Sequence, residues 1–216
     1  MSIVLSYHNT CLTKDDVQLL EKKSWLNDKL IGFMFEYFEY ELYAGLQSSV
    51  AYISPEVTQF IKVIEASHEV QVFLEPLLLK EKKVIFFPVN DNQSQNTAGG
   101  SHWSLLVFDN INSIFHHFDS LYPSNEYAAK SLASKVFKHI SGSSVETYRF
   151  DAHHDCSQQQ NFYDCGIYLI CHAELISEHY QTTNQIVGFP HVTTEMTNAK
   201  RQEIYELIIS KRDSSG

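Results

Sequence analysis

The chain has 216 residues, 44% hydrophobic and 19% charged, proportions that are typical of one globular domain. Its formal net charge is −10, so nucleic acid is a poor candidate partner, and a basic protein surface or peptide tail is a better one. No apolar run reaches the roughly 18 residues of a membrane helix, and the N-terminus lacks the features of a signal peptide. We therefore expect one domain over residues 1–216, with no membrane partner.

The cysteines are few and scattered. Cys11, Cys156, Cys165 and Cys171 form neither a CxxC pair nor the dense pattern of a secreted disulfide scaffold. This usage favours a reducing compartment, so we expect the protein in the cytoplasm, the nucleus or both. It also disfavours a thiol oxidoreductase, which needs a resolving cysteine close to the first. With no internal repeat, no linker and no sign of an oligomer, we expect a monomer.

Helices are predicted in the first third of the chain. The segment 24–43 reads as a turn followed by a helix, because its apolar residues recur at helical spacing. A second helix over 54–64 has Ser54 as its N-cap and Pro55 at its first position. A short helix is predicted from Ser67 to about Leu74.

Strands are predicted in the middle of the chain and helices again towards its end. The segment 82–90 is rich in β-branched and aromatic residues and predicts a buried strand, which a polar loop follows. The later elements are two strands over 101–109 and 113–120, a helix over 123–140, a strand over 145–150, a polar loop over 151–163, a helix from Asp164 and a helix over 198–212. This order predicts an α+β architecture.

Cys165 is the candidate nucleophile. It lies at the start of the apolar helix that opens at Asp164, where free N–H groups and the helix dipole favour a thiolate. Gly166, which follows it, permits the close approach of another chain. The alternative is a buried core cysteine, and that interpretation applies to Cys171, deeper in the same apolar run.

A catalytic thiol needs a base, and the base needs a group that orients it. His102 lies at the start of a predicted strand, directly after a glycine pair. A hairpin that turns around Asn110 and Ile111 places His102 opposite Asp119, on one face at its open end. His116 and His117 are rival bases, but they lie farther from the loop edge, and we interpret them as residues of the sheet.

Two further roles were considered for the polar loop that precedes Cys165. Its acidic, histidine and cysteine residues are contiguous rather than spaced for tetrahedral ligation, so we predict no metal site; they are Asp151, His153, His154, Asp155 and Cys156. An acyl-transfer site also needs oxyanion donors, of which the backbone N–H of Cys165 is one. A side-chain amide is the natural second, and the spacing does not choose among Gln158, Gln159, Gln160 and Asn161.

Four motifs in this order resemble those of the Ulp/SENP cysteine proteases, which cleave ubiquitin-like modifiers. They are WLND at 25–28, HW at 102–103, DS at 119–120 and a glutamine followed after five residues by CG at 165–166. The resemblance spans nearly the whole chain. It implies a papain-like cysteine protease fold with the permuted catalytic order His, Asp, Gln, Cys, in which helices flank a central mixed or antiparallel sheet.

The resemblance implies a role for each matching residue. His102 takes the proton of Cys165, Asp119 holds the imidazole, and Gln159, six residues before the nucleophile, donates its amide to the oxyanion. The thiolate attacks the terminal glycine carbonyl of the modifier, and water then releases the thioester. No cofactor and no metal are implied.

The same resemblance implies substrate-binding residues. Trp25 and Trp103 wall a narrow tunnel that only a diglycine tail, without Cβ atoms, passes through in an extended conformation. Asp28 pairs with a basic residue near the C-terminus of the modifier. The polar loop that contains Asn92 and Gly100 closes over the bound modifier.

Within the family, the segments ISPEVTQFIK, FLEPL and QQNFYDCG resemble those of the members that act on a Nedd-type modifier. This implies a deneddylase, a cysteine-type peptidase and isopeptidase that processes the modifier's precursor and removes it from lysine conjugates such as neddylated cullins. The alternatives are the same chemistry directed at SUMO or ubiquitin, an acetyltransferase that reuses the thiol, and a non-catalytic module that binds ubiquitin-like proteins.

Overall fold

A five-stranded mixed sheet lies at the centre of the molecule, in the order β3-β4-β5-β6-β7, and a separate hairpin pairs β1 with β2. The computed structural model describes residues 2–22, 24–65, 67–94, 99–142 and 145–214. β3–β4 and β6–β7 are parallel, and the two central pairs are antiparallel. The strands are β1 Ile3–Tyr7, β2 Thr10–Thr13, β3 Val50–Tyr52, β4 Val84–Asn90, β5 Trp103–Asp109, β6 Ile114–Phe118 and β7 Arg149–Ala152.

Helices cover both faces of this sheet. They are α1 Lys14–Glu21, α2 Asp28–Tyr37, α3 Pro55–Val63, α4 Ser67–Leu74, α5 Glu126–Ile140, α6 Cys165–Thr183 and α7 Thr194–Ser214. A π-helical turn, Phe38–Leu42, extends α2, and 3-10 turns cover Ala44–Leu46, Glu75–Leu77 and Leu79–Glu81. None of the helices in the described ranges is long and apolar enough to cross a bilayer.

Two hydrophobic cores form because successive side chains of the central strands point to opposite faces. On β5, Leu105 and Val107 belong to the core under α2, α6 and α7, whereas Leu106 and Phe108 belong to the core under α3, α4 and α5. A sheet that is buried on both faces accounts for the continuous apolar runs of β4 and β5. The predicted α+β class is confirmed.

Side-chain caps set the starts of several helices, and the one at Ser54 was predicted. Asn27 caps α2 by accepting the N–H of Leu30 at 3.1 Å, and Ser54 caps α3 by accepting that of Val57 at 3.2 Å. The last helix begins earlier than predicted, because the hydroxyl of Thr193 accepts the N–H of Met196 at 3.2 Å.

The structure corrects the order of elements in two places. The chain does not open with helices alone, because β1, β2 and α1 precede the predicted helix at α2, and β3 follows it. The last strand also lies later than predicted: β7 pairs with β6 from Arg149 to Ala152, so it includes part of the predicted loop. β7 is a four-residue edge strand in which Arg149 and Asp151 alternate with Phe150 and Ala152, and its pairing with β6 sets its bounds.

The β5–β6 hairpin has a register two residues away from the predicted one. Asp109 pairs with Ile114 across residues 110–113, because its carboxylate accepts the N–H groups of Ile111 and Asn112 at 3.1 and 3.0 Å. Side chains alternate with a period of two, so the shift keeps His102 and Asp119 on one face, as diagonal neighbours instead of direct partners.

Candidate active site

Cys165 is the first residue of α6 and is only 1% exposed. The N–H groups of a first helical turn have no partners within the helix, so they point toward any anion at that end. A Cβ on Gly166 would lie 3.0 Å from Cβ of Leu26, which explains why a glycine follows the thiol. The predicted location at a helix N-terminus is therefore observed.

Hydrogen bonds fix the loop that leads into Cys165. The side-chain oxygen of Asn161 accepts the N–H groups of Tyr163 and Asp164, each at 3.0 Å, and its amide donates to the Asp164 carboxylate at 2.7 Å. The guanidinium of Arg201, on α7, donates to the same carboxylate at 2.7–2.8 Å. The backbone position of the thiol thus depends on the C-terminal helix.

His102 and Asp119 lie beside each other, next to the ends of β5 and β6. The ring Nε2 of His102 is 2.5 Å from Oδ1 of Asp119, and both side chains are buried. The Cys165 side chain is close enough to His102 to raise the pKa of the ring. The structure therefore brings together a thiol, an imidazole and a carboxylate in the order that a cysteine protease uses.

The carboxylate of Asp119 is itself held in place. Oδ1 accepts the N–H of Leu121 at 3.0 Å, and Oδ2 accepts that of Asn125 at 2.9 Å. The side-chain amide of Asn125 donates to the carbonyls of Val89 and His102 at 3.0 and 3.3 Å. Asn125, which the sequence did not single out, therefore positions both partners of the His–Asp pair.

Two opposing effects set the pKa of His102. Burial lowers this pKa. The hydrogen bond to Asp119 and the Cys165 side chain raise it by more than burial lowers it, and the resulting pKa is about 9. Burial likewise opposes ionisation of Asp119, and the His102, Asn125 and Leu121 hydrogen bonds prevail, so its pKa is lowered. An imidazolium facing an ionised carboxylate is the state that stabilises a thiolate nearby.

The rival histidines lie within the sheet. His117 is buried, its Nε2 lies 2.9 Å from Oγ of Ser104, and burial lowers its pKa to about 4. His116 lies next to His153. Neither has the Asp119 and Cys165 contacts of His102.

The structure separates the candidate oxyanion amides by their contacts. Gln158 donates to the carbonyl of Asp119 at 2.9 Å, so it holds the strand end. Gln159 accepts the hydroxyl of Ser120 at 2.9 Å, and its amide donates to the carbonyl of Asn161 at 2.7 Å, within the nucleophile loop. The oxyanion role of Gln159 requires its amide to turn from Asn161 to substrate, and it stays a prediction.

Gln159→Ala is expected to lower kcat by about 10²–10³-fold with little change in KM, because an oxyanion donor acts mainly in the transition state. The measurement is steady-state hydrolysis of a fluorogenic amide of the modifier. Gln160→Ala is the matched control, because this neighbouring glutamine is exposed. Equal losses in the two variants would contradict the assignment.

A cleft of about 620 Å³ lies next to this group of residues. All five predicted substrate-binding residues line it: Trp25, Asp28, Asn92, Gly100 and Trp103. Leu26 also lines the cleft and contacts Gly166, so this leucine lies between the cleft and the helix end that bears the thiol.

The two tryptophans that line the cleft are held by backbone carbonyls. The indole N–H of Trp103 donates to the carbonyl of Leu26 at 3.0 Å, and that of Trp25 donates to the carbonyl of Phe162. Trp25 is 50% exposed, so half of its ring faces solvent and is accessible to a bound chain.

The cleft is acidic. Among the described residues that line it, Asp28 and Glu56 are the charged ones. The sequence predicted Asp28 as a partner for a basic group but gave no reason to select Glu56, which lies in the first turn of α3. A basic peptide segment suits this cleft.

The loop between β4 and β5 is held at its base. Asp91 accepts the N–H groups of Ser101 and His102 at 2.7 and 3.1 Å, just before β5. Gly100 has φ +96°, and a Cβ there would overlap the side chain of Asn90, so only glycine fits. Residues 95–98 of the predicted covering loop lie outside the described residues.

Comparisons with known proteins agree with this geometry. A sequence model described as the Ulp1 protease family, C-terminal catalytic domain, matches residues 24–212. Human sentrin-specific protease 8 is 41% identical over 208 residues, which cover 95% of this chain and 96% of that protein. The NEDD8-specific protease 1 of Arabidopsis thaliana is 29% identical over 213 residues, covering 95% and 92%.

The fold is also found in solved structures of other proteins. The C-terminal Ulp1 protease domain in complex with Smt3, the yeast orthologue of SUMO, matches with a TM-score of 0.71 over 97% of this chain and 88% of that one. The two sequences are 22% identical, so this likeness concerns the architecture alone.

Proposed function

The chain belongs to the Ulp1 protease family and is a cysteine protease of ubiquitin-like modifiers; from that premise we propose that its modifier is of the Nedd type. We propose further that it cleaves after the C-terminal diglycine, both to process the precursor and to release the modifier from lysines of conjugates such as cullins. The predicted resemblance to the Ulp/SENP family is confirmed.

Similarity and charge support the Nedd-type modifier. A relative similar over nearly its whole length is described as NEDD8-specific. The acidic cleft, with Asp28 and Glu56, provides partners for a basic residue near the end of the modifier's tail. The observation that carries the proposal is that all five predicted substrate-binding residues line one cleft, which Leu26 separates from the thiol end of α6.

The proposed reaction uses the thiol, imidazole and carboxylate in turn. The thiolate of Cys165 attacks the terminal glycine carbonyl and forms a tetrahedral oxyanion, which the Cys165 N–H and the Gln159 amide stabilise. His102, positioned by Asp119, protonates the leaving amine, and a thioester remains. Water, activated by His102, then hydrolyses the thioester and frees the thiol.

The two tryptophans give a physical reason for the diglycine preference. Trp25 and Trp103 both line the cleft, and the carbonyl of Leu26, which contacts Gly166, accepts the indole N–H of Trp103. A tail between the indoles has little room for a Cβ atom, so glycines pass and bulkier residues clash.

The test is reaction of the purified protein with modifiers that carry a C-terminal electrophile, read by intact mass. We expect a covalent adduct with the Nedd-type probe, at a rate at least tenfold above those of the SUMO and ubiquitin probes. Cys165→Ala, which deletes only the sulfur, is expected to form no adduct.

The other outcomes separate the alternatives. Preferential labelling by the SUMO probe would show that the modifier is SUMO. SUMO is the second candidate because the structurally similar Ulp1 domain was solved with a SUMO orthologue. Labelling that persists in Cys165→Ala would show that another cysteine is the nucleophile. No adduct with any probe would favour an acetyltransferase or a non-catalytic binding module.

A further inference from the structure

A second cluster of metal-ligating side chains lies at the edge strand β7. His116 on β6 pairs with Asp151 on β7 in the parallel ladder. His153 follows directly after β7, and its N–H donates to the carbonyl of His117 at 3.0 Å, which continues that pairing. Residues two apart along a strand share a face, so His116, Asp151 and His153 all lie on the same face of the sheet.

The three side chains converge. Nδ1 of His116 is 2.9 Å from Nε2 of His153, and a carboxylate oxygen of Asp151 lies within 4.8 Å of both nitrogens. Two imidazole nitrogens on a tetrahedral ion, each about 2.0–2.1 Å from it, are roughly 3.3 Å apart. The two nitrogens therefore need to move apart by only a few tenths of an ångström for an ion to bind both of them.

Packing fixes the two imidazoles. The ring of His153 stacks on Phe118 with centroids 4.4 Å apart and planes 6° from parallel, and Phe118 stacks in turn on His172 of α6. His116 is buried within β6, an internal strand. Ligands held in this way lose little freedom when they bind an ion.

The ligand atoms are chemically available. The Asp151 side chain is 43% exposed, which gives an ion access from solvent. Arg149, 3.8 Å from that carboxylate, is itself largely exposed and forms a weak surface pair that an ion can displace.

We propose that His116, Asp151 and His153 form a binding site for a divalent transition-metal ion of the zinc type, with water in the remaining position. Two nitrogen ligands and one carboxylate suit zinc, cobalt or nickel rather than magnesium or calcium, which prefer oxygen ligands. The sequence argument against a metal considered only the contiguous residues 151–156; the fold adds His116 from the neighbouring strand.

The test is a titration of Cys165→Ala protein with Co²⁺, followed by its visible absorption and with Zn²⁺ as competitor. The Cys165→Ala background removes the thiol, which would otherwise ligate a soft metal beside His102. We expect one Co²⁺ per chain, displaced by Zn²⁺. His153→Phe, which keeps a ring to stack on Phe118, is expected to weaken Co²⁺ binding by about tenfold or more.

Two further variants make the result decisive. Asp151→Asn changes a half-exposed side chain, so it is expected to preserve the fold and still weaken binding by about tenfold. His154→Ala, at the exposed histidine next in sequence, is expected to leave binding unchanged. The proposal is overturned if no saturable binding is found, if sulfur-to-cobalt charge transfer is observed, or if His154→Ala weakens binding as much as His153→Phe and Asp151→Asn.

Discussion

Replacing Asp119 with asparagine is expected to lower kcat/KM by about 10³–10⁴-fold while the protein stays folded. The Asp119 carboxylate lies 2.5 Å from Nε2 of His102 and favours both the orientation and the protonated form of that ring. An amide of the same size retains one acceptor oxygen but not the charge, so the imidazolium loses its counter-ion. The measurement is hydrolysis of a fluorogenic modifier amide, with the melting temperature of each variant recorded.

The pH dependence gives a second readout of the same substitution. The pKa of His102 is about 9, so the alkaline limb of kcat/KM is expected where the imidazolium loses its proton. Asparagine removes the carboxylate that raises this pKa, whereas burial, which lowers it, remains. The alkaline limb of Asp119→Asn is therefore expected at lower pH than that of the wild type.

Asp155→Asn is the matched control, because this acid is exposed in the loop beyond β7 and leaves His102 untouched. It is expected to keep the wild-type rate and the wild-type alkaline limb. A rate for Asp119→Asn within tenfold of the control, or an unshifted limb, would show that Asp119 does not orient the base.

The placement of His102, Asp119 and Cys165 was predictable because it depends on local signals. The apolar run after Cys165 marks a helix start, and the two strands that carry His102 and Asp119 are adjacent in sequence. The hairpin register was wrong by two residues, but an error of two preserves the face of every side chain. An error of one residue would have placed the imidazole and the carboxylate on opposite faces.

The supports of the site were not predictable, because they come from distant segments without a pattern of their own. Arg201 lies in a polar helix, where an arginine usually faces solvent, and only the packing of α7 brings it to Asp164. Asn125 falls within the predicted helix over 123–140, where nothing distinguishes it, yet its amide joins β4 to His102. Strand β7 has only four residues, so the pairing with β6 sets its bounds rather than a sequence pattern of its own.

Replacing Arg201 with methionine is expected to lower the free energy of unfolding by about 3–5 kcal/mol, because it leaves the Asp164 carboxylate buried without its cation. Arg201 is only 6% exposed and donates to Asp164 and to the carbonyls of Leu19, Ser24 and Tyr163. For a chain of this size the loss corresponds to a decrease in melting temperature of roughly 6–20 °C. Chemical denaturation and thermal melting measure it.

Two variants identify the cause of that loss. Arg212→Met removes an exposed arginine beside Asp213 and is expected to change stability by less than about 0.5 kcal/mol. Adding Asp164→Asn to Arg201→Met removes the unpaired charge, so it is expected to recover part of the stability. If the double variant is no more stable than Arg201→Met, the unpaired carboxylate does not cause the loss of stability. The loss then comes from the missing hydrogen bonds to the backbone carbonyls.

The contacts of Arg201 also predict an effect on activity that stability alone does not explain. The guanidinium bonds the carbonyl of Ser24, directly before Trp25, and the carbonyl of Tyr163, two residues before Cys165. One side chain thus fixes the position of the segment before Trp25 relative to the loop before Cys165. Arg201→Lys keeps the charge but not the planar fork, so we expect kcat/KM to fall well below the wild-type value at a temperature where the variant is fully folded. If the folded Arg201→Lys protein has wild-type activity, Arg201 contributes to stability alone.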